Sequence, residues 1–417
     1  MADISHDIII AGGGITGSTL ALALAAQGYR PALIDRQLND HREATGDEPA
    51  SLRVSTIYAG ELNALQRLGV RCANEAPDRQ GGDFQRMHIW ESGTRAAITF
   101  DGATIGQNRL GSVIENRLLI GALLQRLQAA ECDLITASIK EIAWSETAVS
   151  ATLDNGQTLS TPLLVAADGT ESFIRRRAAL DIVRRDYHQD AIVATVKPAR
   201  GHQQTAWQKF LPGGPVALLP LANGYCSIVW STDPDHADHL LDLSNKEFCQ
   251  QLGAATDTRL GIITETSPRS RFPLFRQQAR RYIGNRVALV GDAAHRIHPL
   301  AGMGANLGIT DALALAELLQ GPVQDPGSPA ILNPYQRWRL SEVNAYIAAQ
   351  EALRDCYRWD TRMTAGVRGA GVALLNRSTL VKTELLLRSI GLSGHQPALM
   401  RPFLAPAAAD PHTGRAS

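Results

Sequence analysis

The sequence predicts an α/β protein: a doubly wound domain on a parallel sheet, interrupted by an inserted mixed β-sheet unit and followed by C-terminal helices. Three observations predict it. A β-branched run at 7–11 leads through glycines into a helix-forming stretch at 15–27 and on to a second apolar run, Ala32-Leu33-Ile34. Two later runs, 163–167 and 287–290, are apolar throughout, as strands buried on both faces are, and end at Asp168-Gly169 and Gly291-Asp292. Between them the pattern changes to alternating strands, broken by Pro212-Gly213-Gly214.

Each element follows from its own residues. Two parallel strands joined by one helix require a right-handed crossover, so residues 7–35 form a βαβ unit. Leu118, Leu119, Leu123 and Leu127 recur at helical spacing and place a helix over 115–130. The strongest strands of the inserted unit are 191–196, 216–221 and 225–230. A long helix is expected over 303–320, stopped by Gly321-Pro322. From Pro334 the chain reads as helices, and the Ala- and Pro-rich stretch after Pro402 is expected to be loose. Segments 1–75, 100–180 and 280–340 therefore make the first domain, 76–99 and 181–279 the inserted sheet domain, and 341–417 a helical region.

Composition removes several functional classes. Hydrophobic residues are 44% and charged residues 20% of 417, an ordinary globular balance. Lys+Arg and Asp+Glu are 41 each, so no net field holds a polyanion and nucleic acid is not expected as a partner. The five cysteines, Cys72, Cys132, Cys226, Cys249 and Cys356, never form a C-x-x-C pair, which fits a reducing compartment without disulfides or zinc. Residues 1–6 carry Asp3 and no basic segment, and glycines with Thr16, Ser18 and Thr19 break the apolar stretch 8–26, so neither a signal peptide nor a membrane span is expected there. A cytoplasmic location follows, with peripheral contact at the inner membrane surface left open.

The chemistry begins at Gly12-x-Gly14-x-x-Gly17, directly after a strand and opening a helix, with Asp35 ending the second strand. The first glycine makes the tight turn, the second admits backbone to a pyrophosphate, the third lets helix pack on strand, and Asp35 suits a ribose hydroxyl. An acidic residue there disfavours a 2′-phosphate, so the site suits FAD or NAD and not NADP. Other constellations carry less. His295 and His298 form H-x-x-H without an identifiable third ligand, no G-x-S-x-G elbow exists, and Gly366, Gly369 and Gly371 follow no strand.

The segment 291–308, from Gly291-Asp292 through His298-Pro299-Leu300-Ala301-Gly302-Met303-Gly304-Ala305-Asn306, resembles the second FAD motif of the group A flavoprotein monooxygenases. Its wording is similar to the branch containing the ubiquinone-biosynthesis hydroxylases. The resemblance implies a Rossmann-like FAD domain of the glutathione-reductase type. Within it Asp292 holds the ribityl chain or pyrophosphate, and Gly302 and Gly304 pass close under the isoalloxazine ring. The helix opening at Ala305 and Asn306 offers N–H groups to the flavin N1/C2=O edge. Asp168 matches the family's D-G motif, implied to serve FAD and NAD(P)H. Arg53, within Ser51-Leu52-Arg53-Val54-Ser55, matches its flavin-contacting arginine. The resemblance spans roughly positions 5–400 and takes in 187–194, 210–221 and 228–231. Met303 departs from the branch's glutamine, Ala305 from a larger apolar residue and Thr310 from arginine.

Resemblance also implies the reaction: NAD(P)H reduces FAD, oxygen adds at flavin C4a to give a hydroperoxide, and an electron-rich ring takes one oxygen atom. The expected substrate is a hydrophobic phenol, a polyprenyl intermediate of ubiquinone biosynthesis, with O2 as co-substrate. Pro299 and the 302–304 loop are expected at the reacting face, Leu218 and Pro220 opposite from the sheet, and His298 either at the reaction or packed structurally. Two further readings stay open: a hydroxylase of a soluble aromatic in catabolism or secondary metabolism, and a non-catalytic flavin-binding member of a biosynthetic complex. Leucines with Arg377, Lys382 and Arg388 make 374–390 a candidate interfacial helix.

Overall fold

A computed structural model describes residues 4–39, 53–71, 82–94, 96–130, 132–358 and 362–402. Ser51, Leu52, Cys72 and the tail after Pro402 lie outside them.

The first strand, Ile8–Ala11, is the spine of a six-stranded sheet. It pairs in parallel with Pro31–Ile34 on one side and Leu164–Ala166 on the other; Val287–Leu289 and Asp133–Ile135 extend the two flanks, and Ile283–Gly284 adds an antiparallel edge. All four residues of the spine are buried, because both faces are covered. Helix Ile15–Ala25 packs on one face against the helices Asn116–Ala129 and Gly304–Leu318. It is apolar on nearly every side, as a helix enclosed by others must be. A three-stranded antiparallel sheet, Ile139–Trp144, Val149–Leu153 and Thr158–Thr161, contributes Ile142, Val149 and Leu159 to the same core.

A second sheet, of nine strands, is built mainly from residues 182–279 and takes in Arg86–Glu91, Ala97–Asp101 and His295–Arg296. Its longest strand, Ile182–Pro198, begins well before the expected 191. Residues 182–186 are exposed on both faces, so no burial period marks them in sequence; pairing with Ser270–Ala279 alone makes them a strand. Helices Pro234–Asp242 and Asn245–Ala255 cover one face of this sheet around Leu218, Val216, Ile228 and Phe248. The opposite face turns toward Tyr58 and Met303 of the first unit.

The final third is helical: Pro329–Arg358, Arg362–Arg377 and Thr379–Ser389. Gly366, Gly369 and Gly371 lie inside the second of these. Among the described residues no helix is long and apolar enough to cross a membrane.

Candidate cofactor groove and substrate cavity

The glycine loop has three distinct environments. At Gly12 φ is +112° and an added Cβ would lie 2.1 Å from the Ala167 carbonyl oxygen; at Gly17 it would lie 1.9 Å from the Gly12 carbonyl oxygen. At Gly14 a Cβ would meet nothing within 4 Å. Two glycines are thus required by packing and the third by something outside the chain. Helix Ile15–Ala25 starts without a side-chain cap, so its first N–H groups and positive dipole end point into the same open space. Asp35 accepts from the Gly13 N–H at 2.7 Å and the Gln37 N–H at 2.8 Å, which fixes the carboxylate beside the loop with lone pairs to spare.

Two distant turns close on this helix. Gly291, at φ +59°, and Gly308 both pack on the Thr16 hydroxyl, where a Cβ would come within 2.8 and 2.3 Å. The Arg175 guanidinium, buried, donates to the carbonyls of Thr170 and Ala293 at 2.8 Å each, and the Gln277 amide donates to Thr170 at 2.7 Å. The Thr170 hydroxyl donates to Asp292 at 3.3 Å. Asp168 accepts from the Ile174 N–H at 3.2 Å through one oxygen, while its other is buried with no partner. Burial pushes the Asp168 carboxyl up. Asp292 is open to solvent, yet the surrounding protein also pushes its carboxyl up, as expected on the floor of a cleft. Gly12, Asp35, Asp168 and Asp292 therefore surround one helix N-terminus.

The third wall is residues 298–306. Gly302, at φ +63°, sits against Thr56, and Gly304 is open like Gly14. Helix Gly304–Leu318 also begins without a side-chain cap, presenting the first-turn N–H groups that include Ala305 and Asn306. The Asn306 side chain is fully committed elsewhere: it donates to the carbonyls of Thr56 at 2.7 Å and Gly302 at 3.1 Å and accepts from the Tyr58 N–H at 3.0 Å. It holds strand Val54–Tyr58 against the loop, so only its backbone is available to a ligand. Arg53 stands at the exposed start of that strand, its carbonyl accepting from the Asn116 N–H at 3.0 Å.

His295 and His298 serve different neighbourhoods. His295 bonds Asp311 at 2.6 Å, and Asp311 also accepts from Arg339 at 2.6 Å and from the Gly291 N–H at 2.9 Å, all deep in the core. His298 accepts at Nδ1 from the Leu300 N–H at 3.1 Å, which leaves the ring proton on Nε2, a buried donor with no partner. Burial and the nearby Arg354 charge push its pKa down to about 4. Pro299 is half-buried between it and Leu300, and its carbonyl accepts from the Gly302 N–H at 2.9 Å. The Gln350 amide clamps the loop by donating to the carbonyls of His298 and Leu300, both at 3.1 Å. Among the described residues no cluster of three His, Cys, Asp or Glu side chains is placed to hold a metal.

His298, Leu300 and Gln350 line a cavity of ≈ 510 Å³ with Tyr187, Phe210 and Tyr357. The Phe210 and Tyr357 rings stack at 3.9 Å, and Tyr187 meets His298 edge-on at 5.3 Å. Leu218 is not on this side. It lies in the core under the two sheet-covering helices, and its neighbour Leu219 faces the flavin-motif side with Tyr58 and Met303. Strand alternation puts Pro220 with Leu218, so the sequence expectation chose the wrong parity on strand Gly214–Pro220. Gln350 and Tyr357 carried no sequence signal, coming from a helix far along the chain; Arg175 was detectable only as an arginine seven residues after Asp168.

The open positions at Gly14 and Gly304, two uncapped helix starts and the unpaired Asp168 oxygen fit a long dinucleotide. A family model described as "FAD binding domain" matches residues 5–350. The chain belongs to this FAD-binding family. FAD is its cofactor. Ubiquinone hydroxylase UbiL of Rhodospirillum rubrum is 34% identical, over 96% of this chain and 94% of its own length. The 3-demethoxyubiquinol 3-hydroxylase of Escherichia coli is 29% identical, over 94% and 100%. Among solved structures, pqsL of Pseudomonas aeruginosa, a probable FAD-dependent monooxygenase, has the same fold. Its TM-score is 0.72 with 23% identity, covering 88% of this chain and 99% of that one.

Proposed function

We propose that this FAD-binding chain is a monooxygenase that uses NAD(P)H and O2 to hydroxylate the aromatic ring of a polyprenyl-phenol intermediate of ubiquinone biosynthesis. The observation that carries it is the cavity bordered by His298 and Leu300, whose loop runs directly into the Gly304 helix start of the cofactor groove. The full-length likeness to ubiquinone hydroxylases supports the substrate class.

Bound FAD supplies the activation of oxygen. Gly12, Gly14, Gly17, Asp35, Asp168, Asp292 and Arg53 hold its pyrophosphate and sugars, and the Gly302–Ala305 loop with the Asn306 backbone underlies the ring. Pro299 and Leu300 form the apolar floor beneath the substrate, and Phe210 and Tyr357 close the far side against water. His298 stays neutral and donates Nε2–H to the substrate's phenolic oxygen, favouring the phenolate that makes the ring electron-rich. Gln350 fixes the loop that carries both His298 and Pro299.

The test is direct. Purified protein is expected to carry FAD, to oxidise NAD(P)H faster when an apolar phenol is added, and to yield a product heavier by one oxygen atom. NAD(P)H oxidation that no phenol stimulates, with only hydrogen peroxide formed, refutes the hydroxylase.

A further inference from the structure

Helix Arg362–Arg377 is amphipathic the wrong way round for contact with water. Its Arg368 points inward, buried and paired with buried Glu91 at 2.9 Å, while Gly366, Ala370, Gly371, Ala373 and Leu374 face out. Leu374 is 70% exposed. The next helix, Thr379–Ser389, continues the face. Leu386 packs inward with Tyr58 and Phe84, whereas Leu380 at 86%, Val381 and Leu385 are exposed. A surface helix normally shows the reverse arrangement, and clustered exposed leucines mark a partner or a bilayer.

We propose that this two-helix face docks on the surface of an anionic lipid bilayer. Three features favour lipid over protein. The exposed apolar side chains named above are aliphatic, without the aromatic and methionine anchors that protein interfaces favour. Arg377 and Arg388 are exposed beside half-buried Lys382 against the single acid Glu384, a positive face on a chain of zero net charge. Arg368 lies over the ring of Tyr357, 5.2 Å to its centroid, so the inward side of this helix touches a wall of the substrate cavity. The proposal deepens the polyprenyl-phenol reading, and rests on it for the reason a bilayer is approached. Leucines seat among the acyl chains, arginines pair with headgroup phosphates, and the cavity wall lies beside the membrane.

The test is flotation of the full-length, FAD-loaded protein with vesicles of phosphatidylcholine, alone or mixed with phosphatidylglycerol. Wild-type protein is expected to float with the anionic vesicles, less so at high salt. Leu374→Gln with Leu380→Gln is expected to lower partitioning about tenfold or more. Arg377→Gln with Arg388→Gln is expected to lower it roughly 30-fold on anionic vesicles alone. All four positions are exposed, so FAD content and melting temperature should match wild type; with those matched, a leucine variant that floats normally overturns the proposal. So does wild-type protein that never floats, or a leucine variant whose only change is loss of self-association or of a protein partner. Turnover of a short-chain, water-soluble phenol separates the two readings: turnover without flotation sinks only the dock, and flotation without turnover sinks only the hydroxylase.

Discussion

The Leu300 N–H donates to His298 Nδ1 at 3.1 Å, and this one bond determines what the imidazole can do. With Nδ1 occupied as acceptor, Nε2 carries the proton and faces no partner in the protein. The ring is built to donate at the cavity, not to abstract.

His298→Ala is expected to lower kcat for the phenol by about 10²-fold or more while leaving FAD content unchanged. Steady-state kinetics with the flavin absorbance as control measures both. An unaltered kcat assigns His298 a packing role only.

Stability should also depend on this residue. Its folded pKa of about 4 lies below the model value of 6.5, so the unfolded chain binds the proton more readily. The stabilisation is complete above pH 6.5 and is lost as pH falls toward 4, by ~3 kcal/mol in total. Denaturant titrations across that window should slope less in His298→Gln than in wild type.

Gly14 and Gly17 should fail differently. Gly14→Val meets open space in the protein and is expected to fold yet retain no FAD; Gly17→Val meets the Gly12 carbonyl at 1.9 Å and is expected to lose folded protein. Flavin content and circular dichroism distinguish the cases, and a yellow Gly14→Val protein would displace the cofactor from the groove described.

Asp311→Ala leaves His295 and Arg339 in the core without their shared acceptor. Breaking such a buried pair should cost about 3–5 kcal/mol. Urea unfolding reads the loss; a change below 1 kcal/mol, on the scale of about 0–1 kcal/mol typical of exposed pairs, would show the network to be incidental.

Gln350→Leu removes the donor from the carbonyls of His298 and Leu300 and should loosen the loop between cavity and cofactor. Roughly tenfold higher KM for the phenol is expected, together with more hydrogen peroxide per NAD(P)H consumed, because a loosened floor admits water. Full coupling in the variant would mean that the clamp plays no part in shielding the reaction.

Local chemistry made much of this protein legible. Gly12, Gly14 and Gly17 are read from sequence because turn, approach and packing each forbid a side chain at a fixed spacing, and Asp35 because it must end the second strand. The Gly291–Asn306 segment is legible as one contiguous loop-to-helix unit, and the buried strands because both their faces are apolar. Tertiary structure decided the rest. Leu218 and Leu219 are equally apolar neighbours, and only the sheet's position between two cores tells which one faces the cofactor side. Gln350, Tyr357 and Arg368 meet the cavity from helices far along the chain, and Arg175 joins two turns 118 residues apart through its reach to Ala293. Periodicity records which side of an element is buried, whereas the partner that buries it is chosen by long-range packing, which no local pattern encodes.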